Sequence, residues 1–328
     1  MRKLLLNLTF VLLCISQKSM AFLLVTDLGF SPSAITNGTP EFSGVTYAGG
    51  STYYAVGDRT FDVHEITMAL NTATGELTAA GVTGSPLVLD MGVDTEAIRL
   101  LANGNYLVSD ENGAARSAIR EYSPVNGSVI ASVSVPAIFD AAEPNGGFEG
   151  LATNADGTES WAINEKKLVG IDGPSVSATN GEWLRLQHFS SGYVADYQYA
   201  YALEPLDGTF LTGLTELLLM PTGELLSLER QLGFANGALF YDILLFIINT
   251  SNATDVSGYN TLADGTFTEV QKRLLWSGKL PSNYEAMTLG PELNDGSDSL
   301  LLVSEGGPLA GDPNNNAQVK VLSIAPGC

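Results

Sequence analysis

The chain reads Glu96-Ala-Ile-Arg-Leu100, then Ala102-Asn-Gly-Asn105, then Tyr106-Leu-Val-Ser-Asp-Glu111. This segment begins with an acid, continues through a short apolar run, a turn and a second apolar run, and closes on an acid. Two short apolar runs joined by Asn and Gly are typical of a β-hairpin, because these turn residues readily adopt a positive φ. The segment therefore predicts two antiparallel strands with an acid at each outer end.

The same pattern occurs five times along the chain. The first residues of the five copies are spaced 53, 53, 67 and 69 residues apart. A repeat of this length that contains several short strands is typical of a β-propeller blade. The opening positions are Ser43, Glu96, Glu149, Glu216 and Glu285, and the closing acids are Asp58, Asp110 or Glu111, Glu165, Glu229 and Glu305.

We therefore predict an all-β fold, a β-propeller with five blades. A sixth blade is possible if the interval 149–216 or 216–285 contains a blade without the motif, and a β-sandwich or β-helix is the alternative architecture. The strand-like segment Phe22–Leu28 precedes the first copy, and we expect it to close the ring by joining the last blade, which hides two sheet edges. Residues 22–328 then form a single propeller domain.

Residues 1–21 are predicted to be a signal peptide. Met1-Arg-Lys3 supplies a basic start, Leu4–Ser16 is apolar, and Ser19 and Ala21 are small residues before a cleavage site. The apolar run is shorter than the ~20 residues that a membrane span requires, so we expect no span, with a signal anchor as the alternative. The prediction is a secreted protein, extracellular or periplasmic.

The strong acidity of the chain excludes some partners. The 328 residues contain 36 acids and 15 bases, for a formal charge of −21. Residues 1–21 hold three of these bases and no acid, which leaves −24 for the remainder. Binding to nucleic acid needs a basic surface, so we expect no nucleic-acid partner. We expect a monomer that acts on a small molecule.

The repeated acids are predicted to meet at one place. In a blade the first strand lines the central channel, and its start lies beside the end of the antiparallel second strand. About nine carboxylates should therefore surround one channel mouth, and they need protons, bases or cations to offset their repulsion. Oxygen ligands without a histidine cluster favour calcium. An architectural role, in which the acids accept backbone N–H bonds between blades, is the alternative. The candidate metal ligands are Asp58, Glu96, Glu111, Glu149, Glu165, Glu216, Glu229, Glu285 and Glu305.

These motifs, in this order, resemble the family known as "esterase-like activity of phytase". The most specific element of the resemblance is Gly147-Phe-Glu-Gly-Leu-Ala152, and it extends over nearly all of residues 22–328. The resemblance implies a propeller, a secreted or surface location, and hydrolysis of phosphoesters or esters. The fourth copy departs from the pattern, because Leu217 follows Glu216 where the others have Gly or Ala. The site residues that the resemblance implies are Asp58, Glu96, Glu111, Glu149, Glu165, Glu229, Glu285 and Glu305.

The residue types present favour water as the nucleophile. The sequence contains no Gly-x-Ser-x-Gly motif, and it has only two histidines. The first hypothesis is a calcium-dependent phosphoester hydrolase, with Glu149, Glu285, Arg59 and Arg230 as catalytic candidates. A non-catalytic, calcium-stabilised propeller that binds a ligand or glycan is the second, and a carboxylic ester hydrolase that uses acid and base carboxylates is the third.

Overall fold

The computed structural model describes residues 22–29, 33–36, 41–58, 60–91, 94–111, 117–175, 177–306 and 316–327. The predicted signal peptide and Arg59 lie outside these residues. The described strands form five separate antiparallel sheets. In four of them the strands follow chain order from the inside outwards, and in the fifth the first described strand of the chain lies outermost. This is a five-bladed β-propeller, so the five-blade prediction is confirmed and the sixth blade is not needed.

The first four blades contain four strands each. Blade 1 consists of β3 (Phe42–Gly49), β4 (Thr52–Gly57), β5 (Asp62–Leu70) and β6 (Leu77–Val88). Blade 2 consists of β7 (Thr95–Leu100), β8 (Tyr106–Asp110), β9 (Ala118–Tyr122) and β10 (Val129–Ser132). Blade 3 consists of β11 (Phe148–Thr153), β12 (Ser160–Asn164), β13 (Trp183–Ser190) and β14 (Val194–Ala202). Blade 4 consists of β15 (Thr209–Leu219), β16 (Leu225–Ala235), β17 (Ala238–Asn249) and β18 (Gln271–Leu280).

Blade 5 closes the ring with strands from both ends of the described chain. It consists of β19 (Tyr284–Glu292), β20 (Asp298–Ser304), β21 (Gln318–Pro326) and β1 (Leu23–Asp27), and the two-residue β2 (Ser33–Ala34) also pairs with β21. The predicted closure is confirmed, since β1 pairs antiparallel with β21 in the register Leu23 to Pro326. Within the described residues the helical structure is one short 3-10 helix, Ala137–Ala141, and no helix is long and apolar enough to cross a membrane.

The hydrophobic core lies at the five seams between neighbouring blades rather than at one centre. The seam of blades 1 and 2, for example, contains Val56, Ile98 and Val108, and equivalent clusters fill the other four seams. Strands inside the ring are buried on both faces, which explains why the second strand of each repeat is a continuous apolar run instead of an alternating one.

The innermost strands approach one another closely, and this explains the small residue after the opening position in four of the five copies. A Cβ atom on Gly44 would lie 2.5 Å from the carbonyl oxygen of Glu96 on the next blade. Gly44, Ala97, Gly150 and Ala286 occupy this position in four blades. The fourth blade has Glu216 there, which changes the chemistry of that blade.

Candidate functional site

A cavity of ≈ 190 Å³ lies where the first strand of each blade starts and the second strand ends, at one mouth of the channel. Seven of the nine predicted metal ligands line it, together with the catalytic candidate Arg230. Its other lining residues are mostly polar. The full lining is Asp58, Asp94, Glu96, Glu111, Asn145, Glu149, Glu165, Lys166, Leu211, Arg230, Asn283, Glu285 and Glu305.

All five blades supply a side chain to this mouth from the closing position of the hairpin, and three of them also supply one from a position that a β-bulge creates. The pairing of the first two strands shifts register within the first strand in all five blades, near its start in blades 1, 2, 3 and 5 and in the middle of β15 in blade 4. A bulge adds a residue to one strand and re-aims its side chain. The bulge positions are Ser43, Glu96, Glu149, Thr215 and Glu285. The closing positions, which directly follow the second strand in four blades and lie within β16 in blade 4, are Asp58, Glu111, Glu165, Arg230 and Glu305.

The expectation that Glu216 and Glu229 line the channel mouth with the other carboxylates is wrong. In the fourth copy, each of these two acids lies one residue away from the position that is equivalent to the acids of the other copies. The bulge of this copy lies at Thr215, so Glu216 takes the position of the small residue and faces away from the cavity. Its Oε1 accepts from the amide of Leu151, and its Oε2 lies 2.8 Å from Arg99 Nη2.

Glu229 is likewise one residue before the closing position of blade 4, which Arg230 occupies. Its Oε1 accepts from the hydroxyl of Tyr201 at 2.7 Å and lies 2.6 Å from Lys272 Nζ. Its Oε2 accepts from the amide of Glu204. Both Glu216 and Glu229 are fully buried structural residues. Blade 4 therefore has a threonine and an arginine at the two positions where the other blades have mostly acids, and of these two residues Arg230 lines the cavity.

The structure also places residues in the cavity that the sequence analysis did not select. Asp94 and Asn283 each lie two residues before a bulge acid, and Asn145 precedes β11. The signal was present in the sequence, since Asp94-Thr-Glu96 and Asn283-Tyr-Glu285 share the same spacing. Of the two acids offered for the end of β8, Glu111 lines the cavity, whereas Asp110 pairs with Arg120 at 2.8 Å.

Burial and mutual repulsion shift the pKa values of the cavity carboxyls upwards. The pKa of Glu96 is well above its usual value, first because of burial and then because of the charges of Glu111 and Glu285. The pKa of Glu149 is also well above its usual value, through burial and then Glu96. Burial is the largest cause for Glu111 and Glu285 as well, whose pKa values rise to about 7 and about 8. The cavity therefore favours protons or other cations beside these groups.

The bases of the cavity are concentrated on one side, around Glu165. Arg230 Nη2 lies 3.0 Å from Glu165 Oε1 and 3.6 Å from Glu285 Oε1. Lys166 Nζ lies 3.0 Å from Glu165 Oε2 and donates to the carbonyl of Asn145 at 2.7 Å. Burial lowers the pKa of Arg230, but Glu165 and Glu285 outweigh it and raise the pKa overall. Arg230 therefore remains charged.

The other side contains carboxylates close enough to share cations. Three groups each offer ligand oxygens that lie within 4.8 Å of one another. The groups are triad I (Glu41, Asp58, Glu305), triad II (Asp58, Asp94, Glu96) and triad III (Glu96, Glu111, Glu149). Calcium binds oxygen at about 2.3–2.6 Å, so two oxygens on one ion are up to about 5 Å apart. Each triad thus matches the spacing of ligands on a single calcium ion.

Several solved structures resemble the chain in overall shape. The GH43 endo-arabinanase from Bacillus licheniformis matches at 14% identity and a TM-score of 0.46, over 90% of this chain and 96% of that one. The native Bacillus subtilis arabinanase Arb43A matches at 14% identity and a TM-score of 0.44, over 89% of this chain and 95% of that one. Identities and TM-scores this low say nothing about the chemistry of this chain.

No curated protein sequence gives a significant match to the chain. The sequence profile described as "Phytase-like: Esterase-like activity of phytase" matches residues 37–305. This span includes all five bulge positions and all five closing positions of the cavity mouth. The resemblance seen in the motifs is therefore confirmed, and the chain belongs to the esterase-like activity of phytase family.

Proposed function

We propose that the cavity hydrolyses phosphoesters with the help of divalent cations, calcium in the first place. The observation that carries the proposal is the division of one cavity into two sides. Carboxylate triads crowd one side, and Arg230 and Lys166 stand on the other around Glu165. A phosphoryl group needs positive charge around its oxygens, and a cavity with cations on the acidic side offers it from both directions.

The residues present fit a cation. Glu96 is 6% exposed and lines the cavity, where it lies beside the charges of Glu111 and Glu285. Asn283 is 8% exposed and also lines the cavity; its Oδ1 is buried and accepts no hydrogen bond from a described residue, whereas its Nδ2 donates to Glu285 and Glu305. Buried oxygens in this state are costly unless a ligand satisfies them. A bound divalent cation supplies positive charge to the phosphate and lowers the pKa of a coordinated water.

Arg230 and Lys166 are the groups that hold the substrate phosphate and the charge that develops on it. Arg230 is fixed by Glu165 and Glu285, so its guanidinium is already oriented before substrate enters. Removal of a preorganised donor of this kind typically costs about 10²–10³-fold in turnover. Lys166 is more exposed and is the outer of the two bases. It guides the anion inwards.

Glu285 is the group suited to protonate the leaving alcohol. It lies outside the three triads, it accepts a hydrogen bond from Asn283 Nδ2 at 2.6 Å, and burial followed by the charge of Glu305 raises its pKa to about 8. A carboxyl that is protonated at neutral pH can act as a general acid. Glu149 belongs to triad III and has the role of a cation ligand.

The test is phosphate release from phytate and from nitrophenyl phosphate, with calcium and with a chelator. We expect release with calcium, loss with chelator, and strong loss in Glu285→Gln and Glu149→Gln. A carboxylic ester hydrolase would instead cleave nitrophenyl acetate and be indifferent to chelator. Absence of phosphate release from every phosphoester tried in the presence of calcium would overturn the proposal.

A non-catalytic, calcium-stabilised propeller is the second candidate, and the position of the triads favours it. Triad I joins blades 5 and 1, triad II joins blades 1 and 2, and triad III joins blades 2 and 3. Cations there would tie neighbouring blades together without any reaction. Protein with no hydrolytic activity whose melting temperature rises sharply with calcium would favour this candidate.

Export and a monomeric state are also part of the proposal. They rest on the signal-like sequence of residues 1–21 and on the high negative charge of the remainder, which opposes self-association. Mass spectrometry of exported protein should find a chain that starts at Phe22. Light scattering should find a single copy. An uncleaved chain or a stable dimer would contradict these two points.

A further inference from the structure

The three triads share members, and this sharing determines how many cations the cavity can take. Asp58 belongs to triads I and II, and Glu96 belongs to triads II and III. The other members belong to a single triad each. The triads therefore form one continuous row along the mouth, from the seam of blades 5 and 1 to the seam of blades 2 and 3.

A carboxylate has two oxygens and can bind one ion with each, which is how carboxylates bridge metals in multinuclear sites. Glu96 has the surroundings that a bridging ligand needs. It is 6% exposed, it lines the cavity, and it belongs to two triads. A buried charge is costly unless it is compensated, and a cation at each of its two oxygens would compensate it. An independent sign of a ligand at this mouth is Asn283 Oδ1, which is buried in the cavity lining and accepts no hydrogen bond from a described residue.

The negative charge of the three triads favours the binding of more than one cation. The three triads together contain seven carboxylates: Glu41, Asp58, Asp94, Glu96, Glu111, Glu149 and Glu305. The two cavity bases, Arg230 and Lys166, each lie 3.0 Å from Glu165, which is not a member of any triad. One divalent cation would leave most of this charge uncompensated at short range, where like charges repel strongly.

We propose that the cavity binds a row of two or more divalent cations, in which Asp58 and Glu96 are the bridging ligands. This inference deepens the proposed function and rests on its cation site. Acids that belong to a single triad, such as Glu149, then coordinate one ion each. The row faces Arg230 across the cavity, so a phosphate would lie between several cations and one guanidinium.

The test is the number of calcium ions bound per chain, measured by equilibrium dialysis on the full folded chain. We expect two or three for the wild type. Glu96→Gln should lose more ions than Glu149→Gln, because one variant removes a bridging ligand and the other a terminal one. Asp156→Asn makes the same charge change in an exposed turn at the opposite end of blade 3 and should lose none.

Circular dichroism of each variant establishes that the propeller is folded. A wild-type stoichiometry of one or none would overturn the row, and so would equal losses in Glu96→Gln and Glu149→Gln. One bound ion together with phosphate release would leave the proposed function in place and remove only the row. Several bound ions without phosphate release would support the row and remove the proposed function.

Discussion

Arg99 Nη2 lies 2.8 Å from Glu216 Oε2, and both side chains are buried inside the ring. Arg99 also donates to the carbonyls of Val45 in blade 1 and Leu217 in blade 4, while Glu216 accepts from the amide of Leu151 in blade 3. Blades 2 and 4 are not neighbours in the ring, so this pair crosses the channel. Through these contacts it joins four blades.

Breaking this pair should destabilise the whole propeller. Removing one partner of a buried ion pair leaves an uncompensated charge and costs about 3–5 kcal/mol, whereas removing both costs much less. We therefore expect Arg99→Met and Glu216→Leu each to lower the free energy of unfolding in urea, and the double variant to recover much of the loss. Additive losses in the double variant would contradict the coupling.

Arg230 should matter for turnover beyond the stability cost that the loss of an ion pair brings. Arg230→Met removes the guanidinium that faces the acidic side of the cavity, and we expect phosphate release to fall by about 10²–10³-fold. Arg120→Met is the matched control, because Arg120 has a similar exposure (12% against 13%) and an acidic partner but lies outside the cavity lining. Equal losses in both variants would mean that Arg230 has no specific role.

In the presence of a chelator, the thermal stability of the folded chain should fall as the pH rises. The pKa of Glu285 is about 8 in the folded chain against 4.5 for an ordinary glutamate, so the folded state binds more protons between these values. The contribution of protonated Glu285 to the free energy of unfolding is fully present below pH 4.5, and it is lost as the pH rises through 8. We expect the melting temperature to fall by about 5 °C or more between pH 5 and pH 9.

Calcium should reverse this pH trend, because a cation replaces the protons among the carboxylates and binds better once they are ionised. The same thermal scans in the presence of calcium should therefore show a smaller fall or a rise. A melting temperature that rises with pH in chelator would contradict the upward pKa shifts of the cavity.

Glu96 and Glu216 should respond in opposite ways to the same substitution. Glu96→Gln removes a repelling charge from the cavity, so the cation-free protein should gain stability at pH 8 while its stabilisation by calcium weakens. Glu216→Gln breaks the pair with Arg99, so basal stability should fall and the calcium effect should persist. Thermal unfolding of both variants, with calcium and with chelator, checks the contrast. Similar behaviour of the two would place Glu216 in the cation site after all.

The strand β1 should be essential for closure. Leu23 is buried in the seam between blades 4 and 5, and the strand covers the outer edge of β21. A chain that starts at Ser33 exposes that edge, and we expect aggregation and loss of cooperative unfolding. A chain that starts at Phe22 retains β1 and should unfold in one cooperative transition. Equal stability of the two chains would contradict a structural role for the closure.

Most of the fold could be predicted because propeller blades repeat. Each hairpin carries its own apolar runs and turn residues, so the repeat is visible as local sequence, and the position of Phe22–Leu28 before the first copy indicated where the ring closes. Seven of the nine candidate ligands were found for the same reason: equivalent positions in equivalent blades reach the same mouth. The two errors were confined to blade 4, where Glu216 lies one residue after the bulge position and Glu229 lies one residue before the closing position.

The sequence by itself determined five repeats, their strand order and the acidity of one channel mouth, since these follow from local patterns that recur in each copy. Only the tertiary structure decided which acids face the cavity. A bulge shifts pairing by one residue, and in a strand one residue turns a side chain to the opposite face. In blade 4 that shift turns Glu216 towards Arg99 and gives Arg230 the place of an acid, which is why the cavity has a basic side at all.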